Sequence, residues 1–314
     1  MKTRKLGNSD LHLTEIGFGA WAIGGGNWEF GWGPQDDEEA IAAMRRAVEL
    51  GINWIDTAAV YGLGHSEELV AKAFAGRRKE VIIATKCSLI WDEKRKVHSS
   101  LASASIRQEC DASLRRLNTD YIDLYQIHWP DDNSRIEEGW GMIDRLISEG
   151  KIRYGGVSNF AVSDMERCKS IRPVTSLQPP YSMLRRGVEK EILPYCAREK
   201  IGVVVYSPME RGLLTGKFDI SKVAPDDHRQ RAKDFQQPRL GQILAMVEKL
   251  RGIANRYGKT PAQLALQWTL RRPEVTSAIA GARRPSQIEE TVGGSGWSLT
   301  KEDIAEIEQI LQTI

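Results

Sequence analysis

The sequence predicts a single α/β domain over residues 1–314, a (β/α)8 TIM barrel with an N-terminal β-hairpin and two accessory helices. Three observations predict this fold. Short apolar runs occur eight times, a helical pattern follows each run, and the length of 314 residues suits a barrel, which typically needs about 250 residues. Strands that alternate with helices form right-handed βαβ units and a parallel sheet, and eight units favour closure into a barrel.

The predicted strands are short and apolar. The runs at 81–84 and 203–205 are continuous and rich in β-branched residues, as expected for parallel strands that are buried on both faces. The eight strands are predicted at residues 16–19, 53–56, 81–86, 123–128, 152–158, 176–179, 203–206 and 276–280.

Capping residues mark the starts of several intervening helices. Asp36 with Glu39 three residues later resembles a capping box. Thr260, followed by a proline and by Gln263, has the pattern of an N-cap with its third-position partner. Thr300 opens a last amphipathic helix, which is one of the two accessory helices.

Two segments depart from the regular strand–helix rhythm. Residues 4–6 and 11–13 flank a Gly-Asn-Ser-Asp sequence and predict the N-terminal hairpin. Between the last two strands lie a polar stretch at 219–239 and a helical pattern at 242–257, the other accessory helix. The polar stretch is either an unordered loop or a lid that folds over a bound cofactor.

Composition excludes several classes of partner. The 44 basic and 42 acidic residues give a net charge of +2, which argues against a surface built for nucleic acid or acidic membranes. The four cysteines form no Cys-x-x-Cys pair, so we expect no zinc site and a reducing, cytoplasmic compartment. No signal peptide or 18-residue apolar stretch is present, so we expect no membrane span. The oligomeric state stays open.

Four ionisable residues follow consecutive predicted strands at the end where barrel active sites lie. Asp56 ends the second strand, Tyr61 comes five residues later, Lys86 ends the third strand and His128 ends the fourth. A lone strand-end aspartate is usually a cap, and Asp56 with Lys86 could form a plain buried salt bridge. A salt bridge alone does not explain His128, so we interpret the four residues as catalytic.

This set of side chains suits the reduction of a carbonyl group, which needs a hydride on carbon and a proton on oxygen. Tyr61 can supply the proton, and a cation such as Lys86 at about 4 Å contributes roughly 4 kcal/mol at an effective dielectric of about 20, or about three pKa units. We therefore expect Lys86 to lower the pKa of Tyr61 toward neutrality. Asp56 would hold Lys86, and a neutral His128 would orient the carbonyl oxygen.

Six segments of the chain resemble the aldo-keto reductase family, in order and over nearly the whole length: residues 56–62, 83–86, 120–130, 155–160, 206–216 and 281–287. The resemblance implies a barrel, an Asp–Tyr–Lys–His tetrad at Asp56, Tyr61, Lys86 and His128, and NADPH-dependent reduction of an aldehyde or ketone, reversible to alcohol oxidation. The family binds the nucleotide without a Rossmann domain. A regulatory subunit of the same fold with little turnover is the alternative; a metal-dependent lyase barrel lacks ligand clusters here.

The later strands supply the predicted cofactor site. The resemblance implies that Ser158, Asn159 and Gln178 bind the nicotinamide carboxamide, and Tyr206 could stack on the ring. A glycine-containing loop after the seventh strand could wrap the pyrophosphate through its amides, although an ordinary turn would have a similar sequence. The loop residues assigned to the cofactor are Ser207, Pro208, Met209, Arg211, Gly212, Leu213, Gly216 and Lys217. Trp21, Asp56 and Gly281 complete this set.

Two arginines follow the last strand and predict a preference for NADPH. Arg283 and Arg284 lie at the start of a short helix, with Gln287 and Glu290 a turn further on. Such donors would satisfy a 2′-phosphate, each charged hydrogen bond contributing about 1.5–3 kcal/mol. A solvated arginine pair is the alternative. The family often has asparagine where this chain has Thr291, which leaves the adenine contacts open.

Tryptophans at the catalytic end predict an aromatic substrate pocket. Trp21, Trp91 and Trp129 each follow a strand, and with His128 they form the predicted substrate site. Trp28 and Trp32 could close over it. The remaining tryptophans are interpreted as core or helix-packing residues: Trp54, Trp140, Trp268 and Trp297. We find no arginine placed to bind a substrate carboxylate, and the sequence does not identify the carbonyl substrate.

Overall fold

The protein is described by a computed structural model that covers residues 1–26, 28–131 and 135–314. Eight parallel strands close into a barrel, as predicted, with neighbouring strands in chain order around the ring. The barrel strands are β3 (Ile16–Gly19), β4 (Trp54–Asp56), β5 (Ile82–Cys87), β8 (Ile122–Ile127), β9 (Ile152–Ser158), β10 (Ser176–Gln178), β11 (Gly202–Val205) and β12 (Val275–Gly281). Each predicted strand is therefore present, with bounds shifted by at most one or two residues.

Helices surround the barrel. They are α1 (Asp37–Glu49), α2 (His65–Ala73), α3 (Ser103–Leu117), α4 (Ile136–Ser148), α5 (Val162–Lys169), α6 (Ile192–Glu199), α7 (Arg239–Arg256), α8 (Pro261–Leu270), α9 (Pro285–Thr291) and α10 (Lys301–Leu311). Helices α7 and α10 are the two accessory helices. No helix in the described ranges is long and apolar enough to cross a membrane.

The predicted caps explain where three of these helices begin. The Asp36 carboxylate accepts a hydrogen bond from the Glu39 amide at 2.8 Å and starts α1. Thr260 and Gln263 bond to each other's backbone in a complete capping box at α8. The Thr300 hydroxyl accepts from the amide of the third residue of α10 at 3.1 Å.

The N-terminal hairpin consists of β1 (Thr3–Lys5) and β2 (His12–Thr14), one residue away from the predicted bounds. Its apolar residues Leu6, Leu11 and Leu13 pack with Trp54 and Leu124 from inside the barrel. The hairpin therefore closes the amino end of the barrel, and the opposite, carboxyl end stays open for a site.

A second hairpin was not predicted. It consists of β6 (Leu89–Trp91) and β7 (Val97–Ser99), which pair antiparallel directly after β5. Both strands have only three residues, and a charged segment separates them, so no alternating pattern indicates them in the sequence. This hairpin extends one wall of the open end.

The polar stretch after β11 is folded. It contains three single 3-10 turns at Ile220–Lys222, His228–Arg231 and Lys233–Phe235. Phe235 and Asp227 are buried, so the unordered-loop interpretation is wrong for this segment. Helix α7 follows and begins three residues before the predicted start.

Candidate active site

Three of the four predicted catalytic side chains meet at the carboxyl end of the barrel. Lys86 Nζ donates to Asp56 Oδ2 at 2.7 Å and to the Thr57 carbonyl at 2.9 Å, and it lies 3.3 Å from the Tyr61 hydroxyl. Asp56 and Lys86 are almost fully buried because they end adjacent barrel strands. The ammonium thus points at the phenol oxygen with no direct contact to bulk water.

His128 completes the group from the next strand. Its ring lies edge-on to the Tyr61 ring, with centroids 5.7 Å apart. Its amide donates to the Cys87 carbonyl at 3.0 Å, and its carbonyl accepts from Asn159 Nδ2 at 3.0 Å. Burial and the nearby charge of Lys86 hold the pKa of His128 well below its ordinary value, so the imidazole is neutral at neutral pH.

The expected lowering of the tyrosine pKa is wrong. Burial raises the pKa of Tyr61 well above its ordinary value, and the charge of Asp56 adds to the rise. The Asp56 carboxylate shares the charge of Lys86, and burial removes water from the phenol, so the nearby ammonium does not lower the pKa of Tyr61. Burial also lowers the pKa of Lys86, an effect that Asp56 opposes by charge and hydrogen bond. Tyr61 is therefore a protonated phenol, the form that a proton donor needs.

The strand ends beside the tetrad carry a chain of polar contacts. Gln178 Nε2 donates to Asp56 Oδ1 at 2.8 Å, and Ser158 Oγ donates to the Gln178 carbonyl at 2.8 Å. The Tyr206 hydroxyl donates to Asn159 Oδ1 at 2.9 Å. Asn159 has a left-handed backbone with φ of 62°. These residues, predicted for the nicotinamide, lie side by side on β9, β10 and β11.

A cleft of about 1090 Å³ opens above these residues. It runs from the aromatic side chains beside the tetrad to the start of α9. The predicted residues that line it are Trp21, Asp56, Tyr61, His128, Trp129, Ser158, Asn159, Gln178, Tyr206, Ser207, Pro208, Met209, Arg211, Gly212, Lys217, Gly281, Arg283, Gln287 and Glu290. Lys86 lies behind Tyr61 and does not line the cleft.

Besides Lys86, three predicted residues do not line the cleft. Leu213 is fully buried in the core, and Gly216 turns its carbonyl to Arg251 Nη2 at 2.7 Å. Trp91 lies at the far end of β6, and its hairpin partner Val97 lines the cleft instead. The assignment of Trp91 to the substrate pocket is therefore wrong, because a short hairpin and not a simple loop follows β5.

The substrate end of the cleft is aromatic. The rings of Trp21 and Trp28 lie 6.3 and 6.4 Å from the Tyr61 ring, centroid to centroid. Trp129 and Phe30 are exposed at the mouth, with 44% and 41% of their surface accessible. The other tryptophans of the sequence interpretation are in the core or pack against it, as expected: Trp54, Trp140, Trp268 and Trp297.

The hairpin and one loop supply cleft residues that sequence reasoning missed. Leu89, Val97 and His98 come from β6 and β7, and Phe30 comes from the loop after β3. No local pattern indicates them, since their place depends on the direction of two loops. Phe218, from the folded segment after β11, also lines the cleft.

The segment after β11 spans the mouth and contacts the loop after β3. The His228 ring packs against both Trp21 and Trp32, with both centroid distances 5.0 Å, and the two tryptophan rings also contact each other. The Arg229 guanidinium lies over the Trp32 ring at 4.4 Å and is held by the buried Asp227 carboxylate at 2.7 Å. These contacts form a bridge above the middle of the cleft.

The predicted phosphate end of the cleft differs from expectation in its hydrogen bonds. Arg283 Nε donates to Gln35 Oε1 at 2.6 Å, and the two Nη atoms donate to the carbonyls of Trp32 and Pro34. Arg283 therefore ties the loop after β3 to the start of α9. The Arg284 side chain is exposed beside it. Glu290 pairs with Lys217 at 2.8 Å.

The described residues contain no group of three or more His, Cys, Asp or Glu side chains that could hold a metal ion. Their four cysteines are free and buried.

Comparison with known proteins identifies the family. Residues 15–312 match the model of the aldo/keto reductase family. The chain belongs to the aldo/keto reductase family. It is therefore an oxidoreductase that acts on small carbonyl compounds, in a family that uses nicotinamide cofactors.

The relatives of this reductase cover almost its whole length. It is 40% identical to the aldo-keto reductase YhdN of Bacillus subtilis, over 99% of this chain and 94% of that protein. It is 35% identical to the NADH-specific methylglyoxal reductase of Escherichia coli, over 100% of this chain and 99% of that protein.

Solved structures of the family superpose closely. The glycerol dehydrogenase of Gluconobacter oxydans has a TM-score of 0.90 and 39% identity, covering 98% of this chain and 94% of that one. An aldo/keto reductase of Klebsiella pneumoniae in complex with NADP and acetate has a TM-score of 0.72 and 27% identity, covering 96% and 92%. Names among these relatives point to both nicotinamide nucleotides, so the family alone does not fix the cofactor.

Proposed function

We propose that this enzyme reduces aldehydes or ketones to alcohols with NADPH, and that Tyr61 is the general acid. The observation that carries the proposal is the Tyr61 hydroxyl, a protonated phenol on the cleft, 3.3 Å from the buried ammonium of Lys86.

The chain's residues divide the reaction between them. When bound, the nicotinamide supplies a hydride to the carbonyl carbon. Tyr61 gives its proton to the carbonyl oxygen, and Lys86 stabilises the phenolate that remains. The neutral His128, whose ring lies edge-on to that of Tyr61, can donate a hydrogen bond to the same oxygen. Asp56 keeps Lys86 aimed at the phenol.

Polar groups along the cleft fit the cofactor. Ser158, Asn159 and Gln178 offer amide and hydroxyl groups at one level of the barrel, where a carboxamide can bind. The loop after β11 turns sharply at Arg211 and Gly212, whose φ values are 54° and 103°. Such left-handed turns expose amides to phosphate oxygens. The adenine end would lie near Gln287 and Glu290.

The preference for NADPH rests on the two arginines before α9. A 2′-phosphate at this end of the cleft would meet the exposed guanidinium of Arg284 and could share that of Arg283 with its protein acceptors. Each charged hydrogen bond contributes about 1.5–3 kcal/mol, so two of them favour NADPH over NADH by at least about tenfold.

The substrate end suits neutral, apolar carbonyl compounds. Trp21, Trp28, Phe30 and Trp129 present ring surface there. Buried, unpaired cysteines agree with a reaction in the reducing cytoplasm.

The direct test is the loss of reduced nicotinamide absorbance with purified protein, NADPH and two aldehydes, benzaldehyde and propanal. We expect NADPH consumption with both, and a kcat/KM with NADPH at least tenfold above that with NADH. No consumption with either nucleotide would overturn the proposed activity; equal efficiency would overturn the cofactor preference.

A further inference from the structure

Ser88 is a junction between the catalytic strand β5 and the substrate wall. It follows β5 with a left-handed backbone, φ 78°, and its carbonyl accepts from the Ser100 amide at 2.9 Å, which closes the base of the β6–β7 hairpin. Its hydroxyl donates to the Trp129 carbonyl at 2.9 Å and accepts from the Trp129 amide at 3.1 Å. One residue therefore holds both parts of the wall, the hairpin base through its carbonyl and the backbone of Trp129 through its hydroxyl.

A buried carboxylate holds this junction in place. Glu109 Oε2, from helix α3, accepts from the Ser88 amide at 2.8 Å, and Oε1 accepts from the Ser105 hydroxyl at 3.0 Å. Only 9% of the Glu109 surface is exposed. An unusual φ at a non-glycine residue persists only where its surroundings fix it, and the hydrogen bond from Glu109 does so here.

The surroundings of Glu109 give it no full ion pair. The charged and titratable groups that face it are the thiol of Cys87 on β5, the phenol of Tyr125 on β8, the carboxylate of Glu67 on α2 and, on its own helix, Arg116. Arg116 is already paired with Glu67 at 2.7 Å. Glu109 takes part in neither hydride transfer nor proton transfer, so the burial of its carboxyl group needs another explanation.

We propose that Glu109 is a positioning residue that acts through Ser88 to fix the substrate wall formed by Trp129 and the hairpin β6–β7. This inference rests on the proposed carbonyl reduction. The wall selects among carbonyl substrates, because Leu89, Val97 and Trp129 line the end of the cleft next to the tetrad.

The chemistry itself is anchored separately. Asn159 Nδ2 donates to the His128 carbonyl, and Lys86 is held by Asp56 and the Thr57 carbonyl; none of these contacts involves Glu109 or Ser88. Release of the wall should therefore weaken the binding of a large substrate and leave the proton donor in place.

The test uses Glu109→Ala and Ser88→Ala, with Glu109→Gln as the conservative variant, which keeps an acceptor for the Ser88 amide. Asp123→Asn is the control at a second buried carboxylate. Asp123 also accepts from a backbone amide of β5, that of Ile83 at 3.0 Å, but it pairs with Arg78 and Arg153 and does not line the cleft. We expect Glu109→Ala and Ser88→Ala to raise the KM for benzaldehyde about tenfold, the size of one or two lost hydrogen bonds.

For propanal, which needs less of the wall, the same variants should change KM and kcat by less than about twofold, and the NADPH dissociation constant should not change. Glu109→Gln and Asp123→Asn should keep the wild-type ratio of the two KM values. Equal effects on both aldehydes, or the same ratio change in Asp123→Asn, would overturn the inference.

Hydrogen exchange separates this inference from the proposed activity. Amides of residues 88–100 and 129 should exchange about tenfold faster in Glu109→Ala, the amide of Trp129 should do so in Ser88→Ala, and all of them should exchange at the wild-type rate in Asp123→Asn. Unchanged exchange in the two variants contradicts the positioning role even if the enzyme is active. Faster exchange in the variants supports the positioning role, whatever the activity. A wild-type enzyme that consumes no NADPH would refute only the proposed carbonyl reduction.

Discussion

Replacing Lys86 with methionine should slow hydride transfer strongly, because the ammonium stabilises the phenolate that forms on Tyr61. At the observed separation of 3.3 Å, the gross attraction between an ammonium and a phenolate is about 5 kcal/mol at an effective dielectric of about 20. Asp56, which shares the charge of Lys86, reduces the net effect to roughly half, about 2–3 kcal/mol. We therefore expect the rate to fall about 30- to 150-fold.

The assay is a single turnover. Enzyme preloaded with NADPH is mixed with excess propanal, and the loss of nicotinamide fluorescence reports hydride transfer apart from product release. The NADPH dissociation constant, measured by the same fluorescence, should stay within about twofold, since Lys86 lies behind Tyr61 and does not line the cleft.

The double variant Asp56→Asn with Lys86→Met controls for the uncompensated charge that the single variant leaves on Asp56. In the single variant, the Asp56 carboxylate keeps only the hydrogen bond from Gln178 and repels the phenolate. Removing both charges should restore part of the lost rate. A hydride-transfer rate in Lys86→Met within about threefold of the wild-type rate would refute the electrostatic role of Lys86. A double variant whose rate loss is the product of the two single losses would refute it as well.

Three further predictions concern the cofactor, the pH dependence and the bridge. Arg284→Ala should weaken NADPH binding about tenfold or more without affecting NADH binding. Arg283→Ala should weaken NADPH binding strongly and NADH binding slightly, the latter because the loop after β3 is released. Equal losses of affinity for the two nucleotides in binding titrations would place the phosphate site elsewhere. Burial raises the pKa of Glu109 to about 7, above its unfolded value, so its contribution to stability is present below the unfolded pKa and is lost as the pH rises through about 7. Glu109→Gln should therefore raise the melting temperature relative to wild type at pH 8 and not at pH 4, as seen by calorimetry; the same difference at both pH values would contradict the assignment. His228→Ala removes the ring that packs against Trp21 and Trp32 and should speed NADPH release several-fold in stopped-flow chase experiments, whereas an unchanged release rate would show that the bridge does not retain the cofactor.

The barrel could be predicted from the sequence because all of its strands share one physical constraint. A parallel strand covered by helices on one side and by the barrel interior on the other must be apolar throughout. The runs at 81–84 and 203–205 satisfy this condition, and their strands appear within one residue of the predicted bounds. Caps such as Thr260 act within four residues, so their geometry also follows from local sequence.

The tetrad could be predicted for a related reason. Strands fix where their last residues lie, so Asp56 and Lys86 at the ends of neighbouring strands must meet. Their energetics could not be predicted in the same way. The pKa of Tyr61 depends on how much water and how many opposing charges surround it, which only the folded structure gives.

The loops of the open end were the least predictable. The hairpin β6–β7 is held by pairing between two three-residue segments and by Ser88, none of which has a sequence signature. Trp91 was placed in the pocket because it follows a strand, yet the hairpin presents Val97 there. Arg283 likewise has protein acceptors from a loop about 250 residues away in sequence.

The central claim, that Tyr61 gives the proton to the carbonyl oxygen, is tested most directly by Tyr61→Phe in a single turnover with preloaded NADPH. The variant should bind NADPH as wild type does, because the ring still packs against Trp21 and His128, and it should show no detectable reduction of propanal. Hydride transfer in this variant at a rate within about a hundredfold of wild type, the usual size of a general-acid contribution, would contradict the account.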